Sequence, residues 1–284
     1  MATTTAPVAV LKFGGEVVAD ASALAAVMAE VAALTRGGWR FVLCHGGGPQ
    51  ANALQQQLGL EPVKVGGRRV TDEPTLRIMK MVLAGQVSVD VVAAAAAAGL
   101  SAVGVSGVSA GVVTARRRPP KVVSGGGAEP VDFGFVGDIV EIRPDLLRHL
   151  WAGGFTPVLN TLAIEPADAA EKPALQVFNI NADTVSSAVA AALAADHLFL
   201  MTGVPGVLRD KDDPSTRIPH LDAKAARQAI ADGVIVGGMI PKVEEALGYL
   251  SQGIRAVHIL GATAGALAGE ARSAGASGTV LTGP

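Results

Sequence analysis

The sequence predicts an α/β protein, a three-layer α/β/α sandwich with a mainly parallel central sheet, divided into two lobes. Three observations carry this. Short, continuous apolar runs bounded by glycine or proline read as strands buried on both faces, as parallel strands are. Segments of helical period separate them, so strand and helix alternate and the sheet is covered on both sides. The pattern then restarts after a Pro/Ala/Glu-rich segment ending near Pro173, which sets an N-terminal lobe of residues 1–173 and a C-terminal lobe of residues 174–284.

"VAVLKF", Val8 to Phe13, is the first strand, held between Pro7 and Gly14. Asp20 caps a helix in which Leu24, Val27, Met28, Val31 and Leu34 recur at helical spacing until Gly37 and Gly38 stop it. "RFVLCH" is the second strand, and "PQANALQQQLG" is a helix with Pro49 in its first turn. In "EPVKVGGRRVTD" two short runs flank Gly66-Gly67, a dipeptide suited to a two-residue hairpin turn. A helix over Glu73 to Ala84, an Ala-rich helix and the strand "SAVGVSG" follow, then a polar Gly/Arg/Pro stretch from Ala115 to Pro130. "VDFGFVGDIVEI" alternates around Gly137 and reads as an antiparallel hairpin, and "FTPVLN" is a strand. The second half reads as a helix over Asp183 to Ala195, the strand "HLFLMTG", a loop from Val204 to Pro219, helices over Asp222 to Asp232 and Pro241 to Gln252, and the strand "AVHILG". No fixed-period repeat recurs, and ligand loops belong at the carboxyl ends of the strands.

Composition narrows the function. The 284 residues are half apolar, enough for a large core, and the net charge of −2 offers no basic field for nucleic acid or a membrane surface. A single cysteine, Cys44, rules out an internal disulfide and fits a reducing compartment. Met1 to Pro7 lack the basic flank and apolar stretch of a signal peptide. The uncharged stretch between Asp90 and Arg116 is long enough for a membrane span but consists mainly of Ala, Gly, Ser and Val without an aromatic belt. It reads as a helix ending at Gly99 followed by a buried strand, and a soluble, cytoplasmic protein is expected.

Two glycine-rich turns leave successive strands, "KFGG" at Lys12 to Gly15 and "HGGGP" at His45 to Pro49. Glycine permits positive φ and exposes consecutive N–H groups to an anion, and the second turn also feeds a helix N-terminus. Phosphate is the ligand such turns suit; two tight strand-to-helix turns without a ligand are the plain alternative. Neither a P-loop motif nor a strand-following G-x-G-x-x-G is present. Lys12 ends an otherwise apolar strand, so it needs an edge, a partner or a ligand. Lys242 sits in the first turn of a helix, where its charge opposes the helix dipole unless an anion is near; otherwise it is a solvated surface lysine. Asn179, Asn181 and Asp183 precede an Ala-rich helix, as caps or as polar groups facing the same cleft as the lysines. Arg69, at the hairpin foot, suits a bidentate carboxylate contact, while Arg68 beside it points the other way in a strand. Cys44 and His45 project to opposite faces of a strand and cannot form a nucleophile–base dyad. The other histidines are scattered, with no pairing that would build a zinc site.

In order along the chain, "KFGG", "HGGGPQAN", "GGRRVTDEPTL", "MVLAGQV", "AVGVSG", "FGFVGDIVEI", "NINAD", "MTGVPGVL", "GGMIPKVEEAL" and "GTVL" resemble the acetylglutamate kinase family of the amino acid kinase superfamily. That resemblance implies an ATP-dependent phosphorylation of the γ-carboxylate of N-acetyl-L-glutamate in arginine biosynthesis, on an amino acid kinase-like fold. It implies that Lys12 and Lys242 neutralise the transferring phosphoryl group and that Asp183 holds both lysines. Gly14, Gly15, Gly46 and Gly47 would supply backbone donors to phosphate and acceptor, and Arg69 and Asn179 would hold the acceptor's α-carboxylate. Thr202, Gly203, Val204, Gly206, Val207, Leu208, Asp213, Gly238 and Met239 would surround ATP, with Mg²⁺ bridging its β- and γ-phosphates and no dedicated protein cage. Gly203 stands where the family usually has aspartate or asparagine. The family's arginine-inhibited hexamers use an extra N-terminal helix, and Met1 to Pro7 are too few for one, so an uninhibited homodimer is expected. Related kinases acting on N-acetyl-aminoadipate, a carrier-linked equivalent, carbamate, glutamate or UMP are the nearest alternatives, and a non-catalytic nucleotide or acetylglutamate sensor is the alternative of another class.

Overall fold

A computed structural model describes residues 6–123, 125–167, 174–210, 212–236 and 239–283. Its frame is an eight-stranded sheet in the order β12-β14-β13-β11-β1-β2-β8-β5. These strands are β1 (Val8–Phe13), β2 (Arg40–His45), β5 (Ala102–Ser106), β8 (Thr156–Asn160), β11 (His197–Thr202), β12 (His220–Asp222), β13 (Ala256–Gly261) and β14 (Thr279–Thr282). The strands from β13 to β5 run parallel; β14 is antiparallel to β13, and β12 is parallel to β14. Alternate strand residues feed two separate cores, as the two-residue period of a strand requires. Val10, Val42, Cys44, Leu198 and Val257 belong to one core, and Ala9, Leu11, Phe41, Leu43 and Phe199 to the other. Burial pushes the Cys44 thiol up to about 12, so it is inert packing.

Helices cover both faces: α1 (Gly15–Ala19), α2 (Ala21–Arg36), α3 (Gly48–Gln57), α4 (Glu73–Lys80), α5 (Ser88–Ala97), α6 (Asp145–Ala152), α7 (Ala182–Ala192), α8 (Ala223–Ala231), α9 (Met239–Leu250) and α10 (Ala266–Arg272). Asp20 caps α2 as expected, accepting from Ser22 N at 2.9 Å and Ala23 N at 3.0 Å. A hairpin of β3 (Lys64–Val65) and β4 (Arg68–Arg69) turns at Gly66-Gly67, and a four-stranded sheet in the order β10-β9-β6-β7 stands beside it. That sheet comprises β6 (Val113–Arg117), β7 (Gly137–Ile142), β9 (Leu162–Ile164) and β10 (Val177–Asn179).

Three expectations need correction. The helix expected to end at Ala84 does not break: Met81–Val87 form a π-helical segment that joins α4 to α5. By length and composition the resulting helix, Glu73–Ala97, is apolar enough to cross a membrane, yet Ile78, Val82, Leu83, Val87 and Val91 are buried in the core. The polar stretch begins with strand, because Ala115 to Arg117 complete β6. Nor is there a hairpin turning at Gly137: β7 pairs with β6, and Val131 pairs back to Lys121. Gly137 marks close packing instead, since a Cβ there would lie 2.9 Å from those of Ala115 and Phe178.

Candidate active site

Lys12 lies at the carboxyl end of β1, in register with Cys44 of β2 and Leu200 of β11. Its Nζ is 2.9 Å from Asp183 Oδ1, with side chains 13% and 31% exposed. The capping role falls to Asn181, whose Oδ1 accepts from Asp183 N at 3.2 Å. That leaves the Asp183 carboxylate in the first turn of α7, favourably placed for the helix dipole and available to the lysine.

Two cavities meet at this ion pair. The larger, about 470 Å³, is lined by Gly14, Gly15, Gly46, Gly47 and Gly48 and by Lys64, Arg68, Arg69, Arg118, Lys121 and Asn179. The smaller, about 170 Å³, is lined by Asp183, Lys242, Leu200, Met201, Thr202, Gly203 and Ile259. Lys12, Glu16 and Glu245 line both, so one lysine faces two compartments.

The glycines are explained by space rather than by φ. Gly14 has φ −82° and Gly47 φ −176°, and none of Gly14, Gly15, Gly46, Gly47 or Gly48 has a positive value, so that part of the expectation is corrected. A Cβ on Gly47 would lie 2.8 Å from Leu83 Cδ2 and 3.2 Å from Val87 Cγ2, so packing demands this glycine. A Cβ on Gly15 would lie 2.8 Å from Pro49 Cδ, where the two turns press together and Gln50 Nε2 donates to Gly15 O at 2.7 Å. On Gly48 it would meet nothing within 4 Å, leaving its backbone open to the cavity. Gly46 is corrected as a donor, because its N–H already donates to Phe13 O at 3.1 Å. Gly15 and Gly48 are the first residues of α1 and α3, and the first N–H groups of a helix have no acceptor within it.

His45 shapes the turn. Its Nδ1 lies 3.0 Å from Gly46 O, Nε2 has no partner among the described residues, and burial pushes the imidazole down to about 4. Arg69 donates to Gly48 O at 3.2 Å and to the side-chain oxygens of Asn52 and Gln55. All three acceptors are neutral, and burial disfavours the guanidinium charge, an arrangement that an anion on the cavity side would complete. Arg68 is exposed, as strand alternation requires, though it too reaches the cavity rim. Asn179 is 8% exposed and donates to Thr71 Oγ1 at 3.2 Å.

The structure brings Lys242, Thr202 and Gly203 to the smaller cavity. It does not bring Val204, Gly206, Val207, Leu208, Asp213 or Met239 to either wall. Val207 is fully buried, Leu208 pairs with Arg217, Asp213 caps the short helix Pro214–Thr216, and Met239 packs on the core at the start of α9. Gly238 lies outside the described residues. Gly203 has nothing within 4 Å of where a Cβ would stand, so the missing acidic or amide side chain would face open space. Glu16 and Glu245 were not anticipated. Glu245 is three residues from Lys242 on one helix face, the spacing that could have exposed it. Burial and Asp183 push its carboxyl up, opposed by Arg68, Lys12 and Lys242. Among the described residues no group of three or more His, Cys, Asp or Glu side chains is placed to hold a metal ion.

A mainly parallel sheet whose first strand delivers an ion-paired lysine to the junction of two polar cavities, the larger walled by glycine turns and cations, has the form of a phosphoryl-transfer α/β protein. The chain belongs to the amino acid kinase family, whose family model matches residues 7–261. The curated acetylglutamate kinase of Sorangium cellulosum is 49% identical over 280 residues, covering 98% of this chain and 95% of that protein. Among solved structures, N-acetylglutamate synthase from Neisseria gonorrhoeae, complexed with coenzyme A and N-acetyl-glutamate, superposes with a TM-score of 0.78 at 25% identity, over 97% of this chain and 59% of that one. Carbamate kinase from Giardia lamblia, with a TM-score of 0.69 at 16% identity over 98% and 99% of the two chains, shares the fold.

Proposed function

We propose that this protein transfers the γ-phosphoryl group of ATP to the γ-carboxylate of N-acetyl-L-glutamate, forming N-acetyl-L-glutamyl 5-phosphate and ADP in arginine biosynthesis. The observation that carries this reading is the Lys12–Asp183 pair at the junction of the two cavities, in a chain 49% identical to an acetylglutamate kinase. The larger cavity takes the acceptor, whose two carboxylates suit its cationic wall, and the smaller takes the phosphate end of the nucleotide. A carboxylate nucleophile is ionised at neutral pH, so no general base is required. One acceptor oxygen attacks the γ-phosphorus, the bond to the bridging oxygen breaks, and ADP leaves with that electron pair. The chain's task is to align two anions and absorb charge on the equatorial oxygens.

In this reading Lys12, braced by Asp183, stands on the acceptor side of the transferring group, and Lys242 faces it from α9. Gly15 and Gly48 offer N–H donors at two helix N-termini, and Arg69 with Asn179 holds the acceptor's α-carboxylate. Residues 1–173 serve the acceptor and residues 174–284 the nucleotide. Mg²⁺, when bound, would neutralise phosphate charge, and the carboxylates of Glu16 and Glu245 on the wall of the smaller cavity are the hard oxygen donors that would hold it. A cytoplasmic homodimer insensitive to arginine completes the proposal; light scattering and a steady-state assay with millimolar arginine test those two parts.

The deciding experiment traps acyl phosphate with hydroxylamine, using ATP, Mg²⁺ and a panel of N-acetylglutamate, N-acetyl-aminoadipate, N-succinylglutamate, glutamate and aspartate. Strong preference for N-acetylglutamate is expected. Turnover of another acceptor would move the substrate assignment, because one methylene is only about 1–3 kcal/mol of discrimination. ATP binding without turnover of any acceptor would favour a sensor.

A further inference from the structure

The segment between β11 and β12 leaves the sheet at Thr202 and Gly203, on the wall of the smaller cavity, and returns at His220. Its neck is closed by Ile218 N donating to Val207 O at 2.8 Å and by pairing of Leu208 with Arg217. A single hydroxyl stitches the neck from below. Thr279 Oγ1, fully buried, accepts from Val207 N at 2.8 Å and donates to Ile218 O at 2.6 Å. The backbone runs so close that a Cβ on Gly206, which has φ +152°, would lie 2.7 Å from that oxygen.

The support beneath Thr279 is equally specific. Residues 275–278 are gripped from two sides by opposite charges. Glu270 accepts from Gly275 N at 2.7 Å, Ser277 N at 3.0 Å and Gly278 N at 2.8 Å, and His258 Nδ1 lies 2.8 Å from it. Arg217 donates to Gly275 O at 2.9 Å, to Ala276 O at 3.0 Å and to Gly278 O. The Glu270 and His258 side chains are fully buried, and a buried carboxylate is tolerable only when its lone pairs are occupied in this way. Glu270, Arg217 and Thr279 line neither cavity; they reach the site only through the neck, whose upstream residues Thr202 and Gly203 line the smaller cavity and not the larger.

Resting on the kinase reading above, we infer that Thr279, carried by Glu270 and Arg217, is a positioning residue for the nucleotide: it sets the neck whose upstream end forms the donor-side wall. The neck meets only the smaller cavity, through Thr202 and Gly203, so the effect falls on one substrate.

The test compares wild type with Thr279→Val, which keeps the shape and removes the oxygen, and Thr279→Ser, which restores it. Measurements are the KM for ATP, the KM for N-acetylglutamate, kcat, and ATP·Mg²⁺ binding by calorimetry without acceptor. Thr279→Val is expected to raise the KM and the dissociation constant for ATP about tenfold, with the acceptor KM within about twofold and Thr279→Ser close to wild type. Equal rises in both KM values, or a lowered melting temperature with unchanged ATP binding, would overturn the inference. If Thr279→Val does not fold, Arg217→Gln carries the same prediction and the same refutation. Wild type that binds no ATP would instead overturn the kinase reading, which keeps the two failures distinct.

Discussion

Gly47 and Gly48 are chain neighbours in the same turn, yet they should respond oppositely to one added methyl group. In Gly47→Ala the new Cβ would stand 2.8 Å from Leu83 Cδ2, 3.2 Å from Val87 Cγ2 and 3.5 Å from Val82 Cγ1. Two of these contacts are inside the optimum of roughly 3.5–4.0 Å between carbons. All three partners are buried, so relief requires displacing core side chains, at about 1–3 kcal/mol. At roughly 2–4 °C per kcal/mol for a chain of about this size, the melting temperature should fall by roughly 2–12 °C. In Gly48→Ala the Cβ would meet nothing, and α3 gains a better helix former, so the melting temperature should hold or rise slightly. The methyl would project where the acceptor approaches the backbone, and kcat/KM for N-acetylglutamate should drop about tenfold or more, ~1.4 kcal/mol. Thermal melts paired with the acyl-phosphate assay read both effects. Gly48→Ala that melts early with kinetics intact would refute the assignment of that glycine to ligand approach.

Lys12→Met and Lys242→Met should each lower kcat by about 10² or more while the KM for N-acetylglutamate stays within about threefold, because charge on the phosphoryl group is stabilised at the transition state; a rise in KM at unchanged kcat would contradict this. Arg69→Ala should do the reverse in steady-state kinetics, and an unchanged acceptor KM would remove it from the α-carboxylate site. Burial moves His45 from 6.5 down to about 4, so the unfolded chain binds a proton that the folded chain refuses, and stability is lost as pH falls through that window. At pH 5 this amounts to about 2 kcal/mol; denaturant midpoints at pH 7.5 and pH 5 should differ by less in His45→Gln than in wild type.

How much of this was legible in sequence depends on distance along the chain. The strands β1, β2 and β11 are unbroken apolar runs, and Lys12 announced itself as the one charge within its run. Asp20, two residues ahead of the nitrogen it caps, was equally plain. The partnership of Lys12 with Asp183 spans most of the chain and came only from the family resemblance. β6 was hidden because arginines on its exposed end resemble a loop, and α1, five residues long, has no period to detect. Gly137 misled because a glycine demanded by close packing and a glycine demanded by a turn look identical in a string of letters. The grip of Glu270 on residues 275–278 is local in sequence but buried in a Gly/Ser/Ala stretch whose composition suggests nothing.

The π-helical segment Met81–Val87 bears on how this chain tolerates insertions and deletions. Its Val82, Leu83 and Val87 are the groups nearest Gly47, so the widened turn sets which side chains meet the glycine loop. Each α-helical residue advances the helix by about 100°. A π-helical segment takes in about one residue more than ordinary winding would, so losing one residue here would let the stretch relax to α-helix while α5 kept the same face toward the core. Such a deletion would leave Val91 and Ala95 in the core, yet it would take away the widened turn that sets Val82, Leu83 and Val87 against the glycine loop. An indel scan across Glu73–Ala97 should therefore find a single deletion better borne for folding within Met81–Val87 than in α4 or α5, where it would turn everything downstream by about 100°.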